Sequence, residues 1–394
     1  MVREDRYLLQ LLKAYLHGEA PQADPQADWE KLTALAHIHN ISGILGYMAM
    51  SHPICPDPER KKMLRSLCLG TMAACAKRGA MAEELSGKLS EAGIDHIVMK
   101  GFVLRQFFPV PELRTFGDID LVIREDDRKH CHDLMLGLGF RVKNDWEPVY
   151  SYTRGNEYYE IHTQIMEVDV SEKADYRGYF ANLWPNAAPV AERRWEFKPE
   201  FHFLYMLTHI AKHITGSGAG IRMYLDVAAF VAHYGENLDW QWICRELKTL
   251  ALEDFAGTVL TLVEECFAIP SPIPLRPVPR DVMEDFLDMT MAGGIFGRNG
   301  ADSGTNSLKQ DSREGEKISR SGTLVRRLFP SAKSIESRYT YLREKPWLLP
   351  AAWVHRLVKT REGWRAHAEE AKNILTADKE GVARLTRLYR DIGL

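Results

Sequence analysis

No apolar run in this 394-residue chain approaches the roughly 20 residues a bilayer-spanning helix needs, and Met1–Arg6 holds no apolar region of the signal-peptide kind. A transmembrane segment is therefore not expected, and a cytoplasmic location is. Cysteines are few: Cys55, Cys68, Cys75, Cys131, Cys244 and Cys266 are scattered without a C-x-x-C pair, several on apolar faces of expected helices, and they read as reduced core residues. The net charge of -3 gives no general pull toward nucleic acid or an anionic membrane, so any such attraction has to come from a local patch. Internal repeats are absent too. What is present is an ordinary globular balance, 45% hydrophobic and 10% aromatic, in a chain long enough for two or three domains and a sizeable core.

From Glu4 to about Leu89 the pattern is helical, with no strand evident. Leu8, Leu11, Leu12 and Tyr15 share one face, Asp28 is placed to cap a second helix, and a long helix runs from about Glu59 toward Ala92, where Gly93 can end it. Between Ile94 and Val170 strands alternate with helices. Ile94–Gly101 opens with a strand, Phe102–Phe108 reads as helix, and Asp126 can cap a helix bearing Cys131, Leu134, Met135 and Leu138, stopped by Gly139. Val149–Arg154 and Glu157–Ile165 flank Gly155-Asn156, a two-residue hairpin turn.

Helices return at Pro199–Ile214, Gly220–Tyr234, Asp239–Leu250 and Glu253–Phe267, the first two separated by Gly216-Ser217-Gly218. After a proline-dense connector and one more helix, Arg298–Gly322 is rich in Gly, Ser, Asp and Lys and reads as a mobile loop. Thr323–Arg365 then holds ten Lys or Arg against three Glu, with Trp347, Trp353 and Trp364. Basic residues interleaved with tryptophan can hold RNA or an anionic membrane surface; a tail helix packing its aromatics onto the protein accounts for the same letters and is preferred.

The stretch that carries chemistry is Phe116-Gly117-Asp118-Ile119-Asp120-Leu121-Val122-Ile123. Successive strand side chains face opposite sides, so Asp118 and Asp120 share a face while Ile119, Leu121 and Ile123 supply the other. Two acids so close repel each other unless a cation lies between them, which points to a divalent metal. A lone D-x-D is more often a pair of solvated strand-end carboxylates; the apolar flanks and the upstream Lys100-Gly101, a candidate phosphate cradle at a strand-to-helix turn, shift the balance toward metal-assisted nucleotide chemistry. A third carboxylate is then needed. Glu160 is the candidate, sharing a strand face with His162 and Gln164, and Asp169 is its competitor; an exposed sheet face is the plainer reading of Glu160 and His162. His209 and His213 have the spacing of a helical zinc pair but no obvious third ligand, so a helix facing the cleft, with His213 or Lys212 meeting phosphate or the acceptor, is favoured. Arg222 and Asp226 read as an i, i+4 pair, and Arg114 as either a triphosphate contact or a solvated side chain.

Lys100-Gly101, Arg114, the Gly117–Val122 strand, Gly139-Phe140 and Glu160-Ile161-His162 together resemble the uncharacterised bacterial nucleotidyltransferase family of the polymerase-beta-like superfamily. The resemblance extends to His209–His213 and Arg222–Asp226, and loosely to Tyr341–Pro350. It implies an α+β fold, a small mixed sheet embedded between helical regions. The expected division is an N-terminal helical region over 1–93, a transferase core over 94–198, a helical domain over 199–293, a loop over 294–322 and a basic helical end over 323–394. By position, Asp118, Asp120 and Glu160 would hold magnesium, or manganese, and act in catalysis. Lys100, Gly101, Arg114, Gly117, His162 and His213 would meet the nucleotide. One departure stands out: the wider superfamily has Gly-Ser at the nucleotide turn, whereas Phe102 follows Gly101 here. The implied reaction moves a nucleoside monophosphate from a triphosphate, ATP foremost, to an acceptor that the sequence does not name, whether sugar, small molecule, protein or RNA. A non-catalytic nucleotide or metal sensor and an antitoxin-like interaction protein are the rival readings, and the 323–365 stretch is a candidate contact for an anionic surface.

Overall fold

The computed structural model describes residues 1–168, 170–216, 218–294, 329–336, 338–359 and 379–394. Four sequence expectations fall outside them: Asp169 as a third carboxylate, Ser217 in the helix connector, the 298–322 loop, and Trp364.

The chain opens with α1 (Arg3–His17), α2 (Trp29–Ile38), α3 (Ser42–Ser51) and the long α4 (Pro58–Glu91). Local chemistry sets their ends. Asp28 accepts hydrogen bonds from the amides of Glu30 and Lys31, and Asp57 does the same for Glu59 and Arg60, satisfying donors that a helix start leaves free. Leu8, Leu11, Leu12 and Tyr15 are all buried, as their spacing predicts.

Seven strands follow within residues 96–197: β1 (His96–Val98), β2 (Ile119–Ile123), β3 (Arg141–Trp146), β4 (Val149–Arg154), β5 (Glu157–His162), β6 (Ala187–Ala191) and β7 (Arg194–Phe197). Their order is β3-β4-β5-β2-β1-β7-β6, a mixed sheet in which β2 runs parallel to β5 and β1 to β7 while all other neighbours are antiparallel. The Gly155-Asn156 hairpin forms as expected, with Gly155 at φ 61°, although β5 stops at His162 rather than Ile165. The β6–β7 hairpin has no counterpart in the sequence reading. Pro189 argues against a strand, but β6 is the sheet edge, where a missing N–H costs little.

Between the strands lie α5 (Gly101–Leu104), α6 (Arg128–Gly137) and α7 (Tyr176–Ala181). The helix expected over Phe102–Phe108 is only α5 followed by a 3-10 turn at Arg105–Phe107. Nor does Asp126 cap α6: it lies in a 3-10 turn at Glu125–Asp127, and Asp127 stands at the N-cap without a side-chain bond. Then come α8 (Pro199–Gly216), α9 (Ile221–Tyr234), α10 (Trp240–Thr249), α11 (Glu253–Phe267) and α12 (Arg280–Gly293), close to the expected helices. Further helices among the described residues are α13 (Ala332–Ile335), α14 (Leu349–Lys359) and α15 (Lys379–Asp391). The Tyr389 hydroxyl of α15 donates to the Ile214 carbonyl at 2.6 Å, docking this last helix against α8. In the basic region Trp353 packs, its indole N–H donating to Pro330, while Trp347 is 70% exposed.

The sheet is a layer between two apolar clusters. On one face Ile119, Leu121 and Ile123 join Tyr159 and Ile161 of β5, Leu85 and Leu89 of α4, and Cys131 and Met135 of α6. On the other, Ile97 and Val122 belong to a larger cluster that unites α1–α3 with α8–α12. All six cysteines are free thiols, four of them buried.

A buried ion pair ties the second layer to the start of β2. Arg114 was expected to be solvated or to meet phosphate; it is instead buried and grips Asp226 of α9 with Nε on Oδ1 at 2.9 Å and Nη2 on Oδ2 at 2.6 Å. Removing one partner strands the other charge in the interior. Asp226→Ala should therefore lower stability by about 3–5 kcal/mol in urea unfolding, whereas the double replacement Arg114→Met with Asp226→Leu should recover most of that loss. Equal losses in the single and double variants would contradict the assignment.

Candidate active site

Asp120 is the second residue of β2 and 2% exposed. The parallel register with β5 sets Glu160 directly beside it, and His162 two residues further along the same face. Lys100 Nζ donates to Asp120 Oδ1 at 2.6 Å and His162 Nε2 to the same oxygen at 2.9 Å. Both donors use Oδ1, so among the described residues Oδ2 has no hydrogen-bond partner. The Tyr158 hydroxyl donates to Glu160 Oε1 at 2.8 Å and lies 3.1 Å from Ser151 Oγ, while Glu160 Oε2 is 3.7 Å from His162 Nε2. Donor atoms of Asp120, Glu160 and His162 all lie within 4.8 Å of one another, the one such His/Cys/Asp/Glu group among the described residues.

Burial alone would push the Asp120 carboxyl up, but the charge of Lys100 and the bond from His162 outweigh it and hold the group well below the usual carboxylate range. Lys100 is the mirror case: burial works against its charge, and Asp120, helped by Tyr205 and Asp118, raises its proton affinity nonetheless. Asp118, one residue before β2, and Glu160 fare differently. Each is raised by burial and then by the negative charge of Asp120, so ionisation of both is opposed where they stand. The site thus carries more carboxylate than its own cations neutralise.

Lys100 reaches Asp120 from a backbone conformation that side chains rarely adopt, φ 52° and ψ -126°, a strain of about 1–3 kcal/mol that surrounding structure must hold. The next residue has to be glycine, because a Cβ on Gly101 would run into the Arg114 guanidinium and Phe116. These facts revise the phosphate-cradle expectation: Lys100 is engaged with Asp120, α5 is a helix of four residues, and Gly101 serves close packing. Gly117 is exposed, with open space beside it.

The facing wall comes from α8 and α9. The ring nitrogens of His209 and His213 are 3.0 Å apart, one donating to the other, and no further donor joins them as a zinc site among the described residues. Burial drives both rings toward neutrality, and the nearby charges of Lys212 and Lys100 add to this; His213 falls to about 4. Arg222 does not pair with Asp226, which Arg114 has taken; its Nη1 donates to Thr115 Oγ1 at 2.9 Å and Thr115 O at 3.2 Å, and its Nε is buried without a partner. Burial and the charge of Arg114 pull its proton affinity down to about 9. Tyr205 presents a buried hydroxyl with no partner, raised to about 12 by burial.

The structure therefore brings Asp120, Glu160, His162 and Lys100 into contact, with Asp118 close enough for mutual electrostatic influence. It leaves Arg114 and Gly101 in structural roles. Tyr158, Ser151 and Tyr205 were missed. Tyr158 shares the odd-even parity of Glu160 and His162 and was readable from it; Ser151 and Tyr205 needed the tertiary register.

A family model described as an uncharacterised nucleotidyltransferase matches residues 25–268, which include every residue of this cluster. No curated protein and no solved structure matches the chain.

Since the folded-state pKa of Asp118 lies above its unfolded value, its ionised form costs folding free energy at neutral pH and ceases to do so below about 3.9. With chelator present, Asp118→Asn should raise the melting temperature at pH 7, and the gain should fade as the pH falls through the carboxylate range. A melting temperature that drops at pH 7 would contradict this electrostatic reading.

Proposed function

The chain belongs to the uncharacterised nucleotidyltransferase family, and from that premise we propose that it transfers a nucleoside monophosphate from a triphosphate, ATP in the first instance, to an acceptor with release of pyrophosphate. The observation that carries this reading is the lateral pairing of Asp120 with Glu160 across two parallel strands, with Asp118 two residues before Asp120. The group of Asp120, Glu160 and His162, with Asp118 nearby, suits a hard divalent cation: it is rich in carboxylate oxygen, Asp120 keeps Oδ2 without a hydrogen bond, and burial followed by the charge of Asp120 holds Asp118 and Glu160 against ionisation, which a cation would relieve. Magnesium fits, with manganese as the substitute. When bound, the cation would neutralise the triphosphate and the charge developing on the reacting phosphoryl oxygens.

The protein's own groups do the rest. Lys100 and His162 fix Asp120 in its ionised form and in one orientation. The Tyr158 bond to Oε1 of Glu160 leaves Oε2 as the oxygen that would take the acceptor's proton once a bound cation favours the ionised carboxylate. Residues 94–198 form the transfer core in this reading, polymerase-beta-like in its arrangement of acids on adjacent strands. The α8–α9 pair forms the far wall, anchored by Arg114–Asp226 and Arg222–Thr115.

Incubating the protein with magnesium and each nucleoside triphosphate labelled at its α-phosphate, together with a lysate as acceptor source, should label a product and release pyrophosphate. Asp120→Asn should reduce the rate at least about 100-fold with the circular dichroism spectrum unchanged. An undiminished rate in that variant rejects the assignment. Triphosphate binding without pyrophosphate release under any condition would favour a sensor.

A further inference from the structure

The polar row that starts at Asp120 continues outward. Glu160 is paired laterally with Ser151 of β4, and Ser151 with Asn144 of β3, so four adjacent strands present Asp120, Glu160, Ser151 and Asn144 side by side on one face. A cavity of 440 Å³ covers the outer part of this row, within the size range of small-molecule sites. Trp146, Tyr158 and Lys143 bound it, Glu160 closes its inner end, Glu167 lies alongside, and no residue of α8 or α9 lines it.

The two flanks of the carboxylate centre differ in lining. Toward α8 and α9 stand Lys212, Arg222 and the histidine pair, whose positive or polar groups influence one another and Lys100. Toward the cavity stand Glu160 and Glu167, the latter 3.7 Å from the Lys212 ammonium, together with Lys143, whose ammonium lies over the Tyr158 ring at 4.5 Å. A triphosphate finds its cations on the first flank, which leaves the second for the acceptor. The surfaces offered there are the rings of Trp146 and Tyr158, each with a cation over one face, Arg338 at 4.4 Å and Lys143 at 4.5 Å, an Asn144 side-chain amide with no hydrogen-bond partner among the described residues, and carboxylate acceptors. Flat rings against amide and carboxylate groups match a ligand with a C–H face and a rim of hydroxyls.

We propose that this cavity is the acceptor site and that the acceptor is a polyhydroxylated small molecule of the sugar or amino-sugar class. This rests on the nucleotidyl-transfer reading above and names the substrate of that same site. The acceptor lies against Trp146 and Tyr158 with one hydroxyl toward Glu160. That hydroxyl gives its proton to Glu160, its oxygen forms the new bond to the α-phosphorus, and the bond from that phosphorus to the bridging oxygen breaks, the oxygen leaving with pyrophosphate.

The test uses the full-length protein, magnesium and ATP labelled at the α-phosphate, with three acceptor arms: glucose, glucosamine and an aminoglycoside together; a short RNA oligonucleotide; and casein. Pyrophosphate is followed separately. The expected result is label on a member of the sugar arm, with the acceptor KM raised at least about tenfold in both Trp146→Ala and Asn144→Ala. The KM for ATP should move by less than about twofold. Label on RNA or casein instead, or pyrophosphate released with no sugar labelled, overturns the acceptor class and leaves the transfer reading standing. Sugar labelling with an unchanged acceptor KM in both variants overturns the cavity as its site. No pyrophosphate in any arm defeats the transfer reading itself, and the acceptor assignment with it.

Discussion

A carboxylate in the middle of a sheet needs a counter-charge, and the way Asp120 meets that need organises the site. It takes Lys100 from one side and His162 from the other on a single oxygen. The first partner requires a turn after β1 whose backbone is held in a disfavoured region; the second requires β5 to run parallel to β2 in one register, since a shift of one residue would send His162 and Glu160 to the apolar face. A buried ion pair of this kind adds little net stability after desolvation. What it fixes is geometry: an ionised Asp120 with one oxygen committed and the other open, next to two acids whose ionisation is opposed by burial and by Asp120 itself.

A second buried pair transmits that geometry to the opposite wall. Arg114 leaves the segment leading into β2 and holds Asp226, while Arg222 returns from α9 to Thr115. The wall that carries His209, His213 and Tyr205 is thereby set against Asp120 rather than left to drift. The consequence is a cleft with two unlike flanks, one formed by α8 and α9 with Lys212 and Arg222, the other aromatic and polar toward β3 and β4. Two substrates of unlike chemistry can be kept apart by such a division until they meet over the carboxylates.

Much of this was legible in the sequence wherever the cause is local. Alternation around Asp118 and Asp120 foretold the buried face, Gly155-Asn156 the hairpin, and Asp28 and Gly93 the ends of their helices. Parity set Glu160 on the polar face of its strand with His162 and Gln164, but its lateral pairing with Asp120 needed the register of β5 on β2. What failed to show depends on partners distant in the chain. Arg114 and Asp226 are 112 residues apart, so the adjacent Arg222 offered itself as the obvious mate for Asp226 and was wrong. His162 reads as an exposed strand residue until β5 is laid beside β2. Pro189 hid an edge strand because its cost depends on which side of the sheet its nitrogen faces. Lys100 and Gly101 look like a phosphate turn, and only the position of Phe116 and Asp120 reveals the packing that requires them.

All of the chemistry described here depends on the Asp120 centre taking a divalent cation. Titrating manganese into the protein by electron paramagnetic resonance, with a non-hydrolysable triphosphate present, measures that directly. Saturable binding in the native protein that is lost in Glu160→Gln and in Asp120→Asn is the predicted result. Binding of equal affinity and number in all three proteins, or none in any of them, would contradict it.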